Sequence, residues 1–166
     1  MRQRRGFTLI ELLIVVLIVA TLSALSIDLF QTSGEERLQS AARLFRADVE
    51  WARAATLSNP DDPAAIHLLA DGSGWYAARN SSPLAPMTAS DGSEIRRVLG
   101  VDMAQTADGV SIAPSVAESN RIEFDPFGGL RIGPPSVVLK LQDFELQCLI
   151  TFDVGTGALQ TSYSNP

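Results

Sequence analysis

A single carboxylate interrupts the most apolar stretch of this chain. Glu11 follows Phe7-Thr8-Leu9-Ile10 and precedes Leu12-Leu13-Ile14-Val15-Val16-Leu17-Ile18-Val19-Ala20, with Arg2, Arg4 and Arg5 just upstream. Phe7–Phe30 is 24 residues, about 36 Å of helix at about 1.5 Å per residue, against a hydrocarbon layer about 30 Å thick. The run reads as a membrane-spanning helix, and the arginines hold its amino end on the cytoplasmic side. A carboxylate inside such a span costs about 2.5–3.5 kcal/mol on insertion scales. A plain anchor would carry Leu there, so Glu11 is expected to have a partner. Two plainer readings also fit the spacing. One is an anchor with no further role. The other is a secretory signal peptide, with the arginines as its basic end, Leu12–Ala20 as its apolar core and Ala24-Leu25-Ser26 as a small-residue cleavage site. Both put the rest of the chain outside the cytoplasm, and both leave Glu11 unexplained.

The words around Glu11 are specific. Gly6-Phe7-Thr8-Leu9-Ile10-Glu11, with its basic leader and the apolar run behind it, resembles the processing site of type IV pilins and of the pseudopilins of type II secretion. The resemblance implies that a prepilin peptidase cuts between Gly6 and Phe7 and methylates the new amine of Phe7, leaving Glu11 fifth in the mature chain. It also implies the partner: in the filament, the glutamate meets the terminal amine of a neighbouring subunit. The physics suits that role. Residues four apart share a helix face, so Glu11 sits near its own amine and near the positive end of the helix dipole before assembly. On assembly it can exchange to a neighbour's amine. A charge pair in a low-dielectric site sets register more than it adds net stability.

Composition fits one small exported domain. The residues after Phe30 number 136 of 166, enough for a single core. The formal charge is −6, and loss of the three leader arginines takes it to −9. Such a domain repels nucleic acid and anionic headgroups, which makes nucleic acid an unlikely partner. Cys148 is the only cysteine, so no intramolecular disulfide forms, and in Leu146-Gln147-Cys148-Leu149-Ile150 it reads as a buried small hydrophobe.

From Glu35 onward, Leu38, Ala42, Phe45, Val49 and Ala52 recur at intervals of three and four, one apolar stripe on a helix. Arg37, Arg43, Arg46, Asp48, Glu50 and Arg53 are expected mostly on the other faces. Ser58-Asn59-Pro60 stops the helix, because proline disfavours helix in the residue before it. Gly34 marks a joint. The chain beyond Pro60 reads as strands. Ala65–Leu69 and Gly74–Ala78 flank the turn Asp71-Gly72-Ser73, and residues 80–93 form a long exposed loop. Arg121–Phe124, Val137–Leu141, Leu149–Asp153 and Ala158–Thr161 are further strands, the last two joined by Gly155-Thr156-Gly157. The expected fold is α+β: a long amino-terminal helix packed on an antiparallel β-sheet head. The expected divisions are a leader (1–6), a transmembrane half-helix (7–30), an amphipathic half-helix (31–59) and a β-rich periplasmic head (60–166).

A second resemblance covers the rest of the chain. Trp51-Ala52-Arg53-Ala54-Ala55 looks like the Ala-Arg-x-x-Ala signature of the GspH/FimT family of minor pseudopilins and pilins. Phe124-Asp125-Pro126-Phe127-Gly128-Gly129 is similar to its Phe-x-Pro-x-Gly turn, and the Gly155-Thr156-Gly157 hairpin also fits, although Ala158 stands where the family often has Arg. With the first motif, this implies a type IV pilin-like fold and a minor pseudopilin of type II secretion resembling the H component. It would be single-pass in the inner membrane, with a periplasmic head. Its implied partners are other minor pseudopilins, the major pseudopilin and the inner-membrane assembly platform. Two alternatives remain open: a FimT-like minor pilin serving pilus biogenesis or DNA uptake, and a signal-peptide-bearing exported binding domain.

Catalysis has little to stand on. His67 is the only histidine and is expected on the polar face of a strand. One His and one Cys give no transition-metal set. Asp61-Asp62 reads as a solvated turn, because calcium takes about six to eight oxygens. Gly72-Ser73-Gly74 lacks the lysine of a phosphate loop. The sequence therefore points to a non-enzyme without catalytic, cofactor or metal residues.

Overall fold

The computed structural model describes residues 9–30, 34–116, 120–142 and 146–164, with side chains in the first helix described from 9 to 21. The chain divides into two compact units, Met1–Ser33 and Gly34–Pro166.

The first unit contributes α1, Leu9–Phe30. Between Leu9 and Thr21 every described residue except Glu11 and Thr21 is apolar, and all of these side chains are exposed. The Thr21 hydroxyl returns a hydrogen bond to the Ile18 carbonyl at 2.9 Å. Among the described residues no helix is long and apolar enough to cross a membrane.

The second unit is built around α2, Gly34–Ser58. Leu38, Ala42, Phe45, Val49 and Ala52 are all buried, as their spacing predicts, and Ala41, Asp48 and Thr56 join them. The helix ends ahead of Pro60. Thr56 Oγ1 there accepts the Ala64 N–H at 3.0 Å and donates to the Ala52 carbonyl at 3.0 Å. One hydroxyl thus ties the helix end to the first strand.

Among the described residues, nine strands belong to this unit: β1 (Ala64–Leu68), β2 (Gly74–Arg79), β3 (Arg96–Val98), β4 (Val110–Pro114), β5 (Arg121–Phe124), β6 (Leu130–Ile132), β7 (Ser136–Leu141), β8 (Gln147–Phe152) and β9 (Leu159–Ser164). They form two sheets where the sequence suggests one. The five-stranded sheet has the order β3-β2-β1-β5-β6, and the four-stranded sheet β4-β7-β8-β9. Every pair is antiparallel. The chain leaves the first sheet after β3 through a 3₁₀ segment, Asp102–Ala107, enters the second at β4, and returns for β5 and β6. The sheets meet where the Ile112 N–H donates to the Gly72 carbonyl at 2.9 Å and the Leu130 N–H to the Val154 carbonyl at 3.0 Å. Residues 80–93 are largely exposed, yet part of the loop runs beside β2, with the Met87 N–H on the Ala77 carbonyl at 2.8 Å.

Both sheets bury side chains against α2. Phe45 meets Trp75 edge-on, with centroids 5.1 Å apart and planes at 85°, an arrangement favoured by the ring quadrupoles. Asp48 departs from its expected exposed position. Its carboxylate accepts the Trp75 indole N–H at 2.8 Å and two bonds from Arg97, at 3.1 and 3.2 Å. The side chains of Arg97 and Asp48 are only 12% and 9% exposed. A buried pair is weak evidence of stabilisation relative to an apolar core, but removing one partner strands the other. Asp48→Ala is expected to lower stability by about 3–5 kcal/mol, read by urea unfolding of the full chain in detergent with far-UV circular dichroism as the probe. A loss below about 1 kcal/mol would mean the pair behaves as a surface bridge.

Candidate assembly site

Two places carry the residues that the sequence singles out. In α1, Glu11 is the third described residue of the helix. Around it, Leu9, Ile10, Leu12, Leu13, Ile14 and Val15 are each at least half exposed. Apolar, exposed side chains therefore flank Glu11 along the described part of the helix. Gly6 and Phe7 lie outside the described residues, as do the leader arginines.

The second place is in the head, where three separate stretches of sequence converge. The Arg53 Nε–H donates to the Gly128 carbonyl at 3.0 Å, joining α2 to the turn after β5. That turn is fixed from within. Asp125 Oδ1 accepts the N–H groups of Phe127 at 2.8 Å and Gly129 at 2.9 Å. The Asp125 N–H donates to the Gly129 carbonyl at 2.8 Å. Gly128 has φ +87°, and a Cβ there would sit 2.9 Å from Arg53 Nε. From the other side comes Gly157, in the β8–β9 turn, at φ +66°; its Cβ would lie 2.2 Å from the Gly128 carbonyl oxygen. Arg53, Gly128 and Gly157 therefore form one contact. Their separation in sequence hides this, although the glycines in the two turns were a visible signal.

Phe127 sits at the tip of this turn with 90% of its surface exposed. Sequence reasoning gave it no role beyond its place in the motif. Val154, in the neighbouring β8–β9 turn, is also exposed, at 65%.

The remaining titratable groups are structural in their surroundings. His67 is half-buried, contrary to the expected polar face. Its ring stacks on Tyr76 with centroids 5.0 Å apart, and Nε2 has no hydrogen-bond partner among the described residues. Burial, with the neighbouring Arg121 guanidinium, lowers its pKa from the ordinary histidine value, against a smaller raising effect of Glu123. Glu123 is buried between Arg121 and Arg131. Cys148 is buried as expected, and loss of hydration pushes its thiol up to about 11, which leaves it protonated and unreactive. Asp62 is held below the usual carboxylate range by hydrogen bonds from the Ser81 N–H and hydroxyl, which pin the start of the 80–93 loop. Among the described residues no group of three or more His, Cys, Asp or Glu side chains gathers as a metal set.

Residues 1–27 match the family described as the prokaryotic N-terminal methylation motif. The amino-terminal segment carries a type IV pilin-like prepilin signal. That signal implies processing by a prepilin peptidase and assembly into pilus-like filaments, and the match takes in Gly6, Phe7 and Glu11. No curated protein and no solved structure matches the chain.

The packing of the head junction has a direct test. Gly157 and Gly92 both have positive φ, +66° and +85°, but Gly92 has open space where a Cβ would go. Gly92→Ala is expected to cost about 1–2 kcal/mol, the conformational penalty alone. Gly157→Ala adds a clash with the Gly128 carbonyl, so it is expected to cost at least about 1–3 kcal/mol more. Unfolding midpoints of the two variants compared with wild type check this; equal losses would contradict the junction.

Proposed function

We propose that this chain is a minor pseudopilin of a type II secretion system, most like the H component of the GspH/FimT family. The reading rests on the methylation motif at residues 1–27, with Glu11 set in the apolar run Leu9–Ala20. It is supported in the head by the meeting of Arg53, Gly128 and Gly157, since these belong to the three stretches that resemble the GspH/FimT family.

In this account the leader is removed between Gly6 and Phe7, and Phe7 is methylated. The helix waits in the inner membrane with its amino end cytoplasmic and the head periplasmic. It is then lifted into a short periplasmic filament that drives export of folded proteins. Glu11 supplies the charge that finds a neighbour's amine and sets the helix in register. The head makes side contacts with other minor pseudopilins and with the major pseudopilin, and the assembly platform handles the helix in the membrane. The work is architectural and involves no catalysis. The methylation motif alone is shared with pilins of type IV pili. What favours secretion over a DNA-uptake pilin is charge: after loss of the leader arginines the formal value is −9, and β9, Leu159–Ser164, contains no Lys or Arg. Phosphate contacts require cationic side chains.

Glu11→Leu removes the insertion cost of the carboxylate, so membrane insertion and leader cleavage are expected to remain. Entry into the filament is expected to weaken partially, because the head contacts persist. Glu11→Gln keeps shape and hydrogen bonding but loses charge, and is expected to fail in the same way. Cross-linking between minor pseudopilins, combined with a secretion assay in cells carrying each variant, reads the effect. Wild-type cross-linking and secretion in both variants would remove Glu11 from the assembly mechanism.

A further inference from the structure

A strand at the rim of a sheet presents backbone N–H and C=O groups that another chain can pair with. Folded proteins close such rims with short strands, charge, proline or a covering segment. Three of the four rims described in this head are closed. β3 is three residues long, two of them arginines, with the 3₁₀ segment packed beside it. β6 is also three residues, with Arg131 at its centre, and its Leu130 N–H goes to the Val154 carbonyl. β4 ends at Pro114 and gives its Ile112 N–H to Gly72. β9 has none of these protections. Its six residues, Leu159–Ser164, include no charge and no proline.

The pairing with β8 sets which groups are open. The Phe152 N–H goes to the Pro135 carbonyl, on the β7 side. By alternation, Thr151 and Leu149 address β9, where their partners are Gln160 and Ser162. The backbone groups of Leu159, Thr161 and Tyr163 therefore point away from the sheet. Among the described residues no backbone partner meets them. The Thr161 hydroxyl oxygen is also buried without a hydrogen-bond partner among the described residues.

The helix beside this edge supplies charge. Burial and the Cys148 thiol hold the Tyr163 phenol above its ordinary pKa, while Arg43 and Arg46 pull it the other way, so both guanidinium groups lie near β9. Both arginines are exposed, and among the described residues neither has a carboxylate partner. Arg43 makes only a long bond to Gln39, at 3.5 Å. The nearby Glu50 is already paired with Arg53 at 3.4 Å. Glu35, which borders the Ser164 end, accepts the Gln39 amide at 3.1 Å. The chain is acidic as a whole, but at physiological salt a surface charge acts over about 8 Å, so Arg43 and Arg46 set the sign at this edge.

We infer that the open edge of β9 docks an extended, acidic segment of a partner protein. The segment adds as a fifth strand to the sheet β4-β7-β8-β9. Backbone bonds to Leu159, Thr161 and Tyr163 supply the affinity, and alternate side chains supply the selectivity. Every second side chain of an added strand falls on the α2 face of the sheet, where a carboxylate meets Arg43 and Arg46. A second copy of β9 fits poorly: it brings no carboxylate, and its own two arginines would face their like. The inference stands on the head alone and does not need the filament reading.

The probe is a fluorescein-labelled peptide, Thr-Glu-Val-Glu-Val-Glu-Thr, capped at its carboxyl end and titrated against the full chain in detergent. Anisotropy is expected to show saturable binding with a Kd below about 1 mM. Hydrogen exchange is expected to slow at the Thr161 and Tyr163 amides. Replacing Glu with Lys in the peptide is expected to weaken binding about tenfold or more. So is the double variant Arg43→Glu/Arg46→Glu, at exposed positions, with an unchanged circular dichroism spectrum. N-methylation of one alternate set of peptide residues is expected to abolish binding, and of the other set to spare it, because only one set points its N–H groups at β9. No saturable binding, or equal tolerance of both methylated sets, would overturn the proposal. So would binding indifferent to the arginine substitutions, or slowed exchange at β9 on self-association of the chain alone. None of these failures touches leader cleavage or the Glu11 variants, so the filament reading stands or falls separately.

Discussion

The head depends on one helix serving as the wall of two sheets. Neither sheet shares strands with the other, and few backbone bonds join them. Their inner faces are closed because Leu38, Ala41, Ala42, Phe45, Val49 and Ala52 lie in a common core with Ile66, Trp75 and Ile122 of one sheet and Leu139, Cys148 and Ile150 of the other. The alanines in this stripe let the strands come close to the helix backbone, while Phe45 and Trp75 fill the space that remains, as close packing requires. Within that apolar wall Asp48 is the exception. Trp75 and Arg97 both reach it, so the same helix that supplies the greasy face also fixes where β2 and β3 lie across it.

Much of this was readable from residue order. The stripe on α2 follows from spacing, its end from Asn59-Pro60, and the two hairpins from Asp71-Gly72-Ser73 and Gly155-Thr156-Gly157. The misses have physical causes. Leu130–Ile132 and Arg96–Val98 are too short to show a period of two, and Arg96-Arg97 resembles a solvated segment until Asp48 is seen beneath it. Two sheets could not be told from one, because sheet membership depends on non-local pairing: β1 pairs with β5 across more than fifty intervening residues. Asp48 was misplaced because a charge three residues after Phe45 is ambiguous between the edge of the stripe and the solvent face. The partners that decide it, at 75 and 97, are distant in sequence.

The candidate site divides in the same way. Glu11 stands out in the sequence because a carboxylate in an apolar run has a cost that needs a reason. The head junction was legible only as three separate motifs. That Arg53 caps the Gly128 carbonyl while Gly157 presses on it is a matter of tertiary placement. That placement gives the motifs a shared structural role, the holding of one turn, whose exposed product is Phe127. Under the proposed function, the charge in α1 sets register along a bundle of helices.

The central claim is that the first residues are a processing signal for a filament subunit. Intact-mass and amino-terminal analysis of protein extracted from the native membrane tests it most directly. The account predicts a mature chain beginning at Phe7 with one methyl group on its amine, and Glu11 retained. A mature chain beginning near Ile27 would show ordinary signal-peptide removal, discard both Glu11 and the apolar helix, and contradict the account.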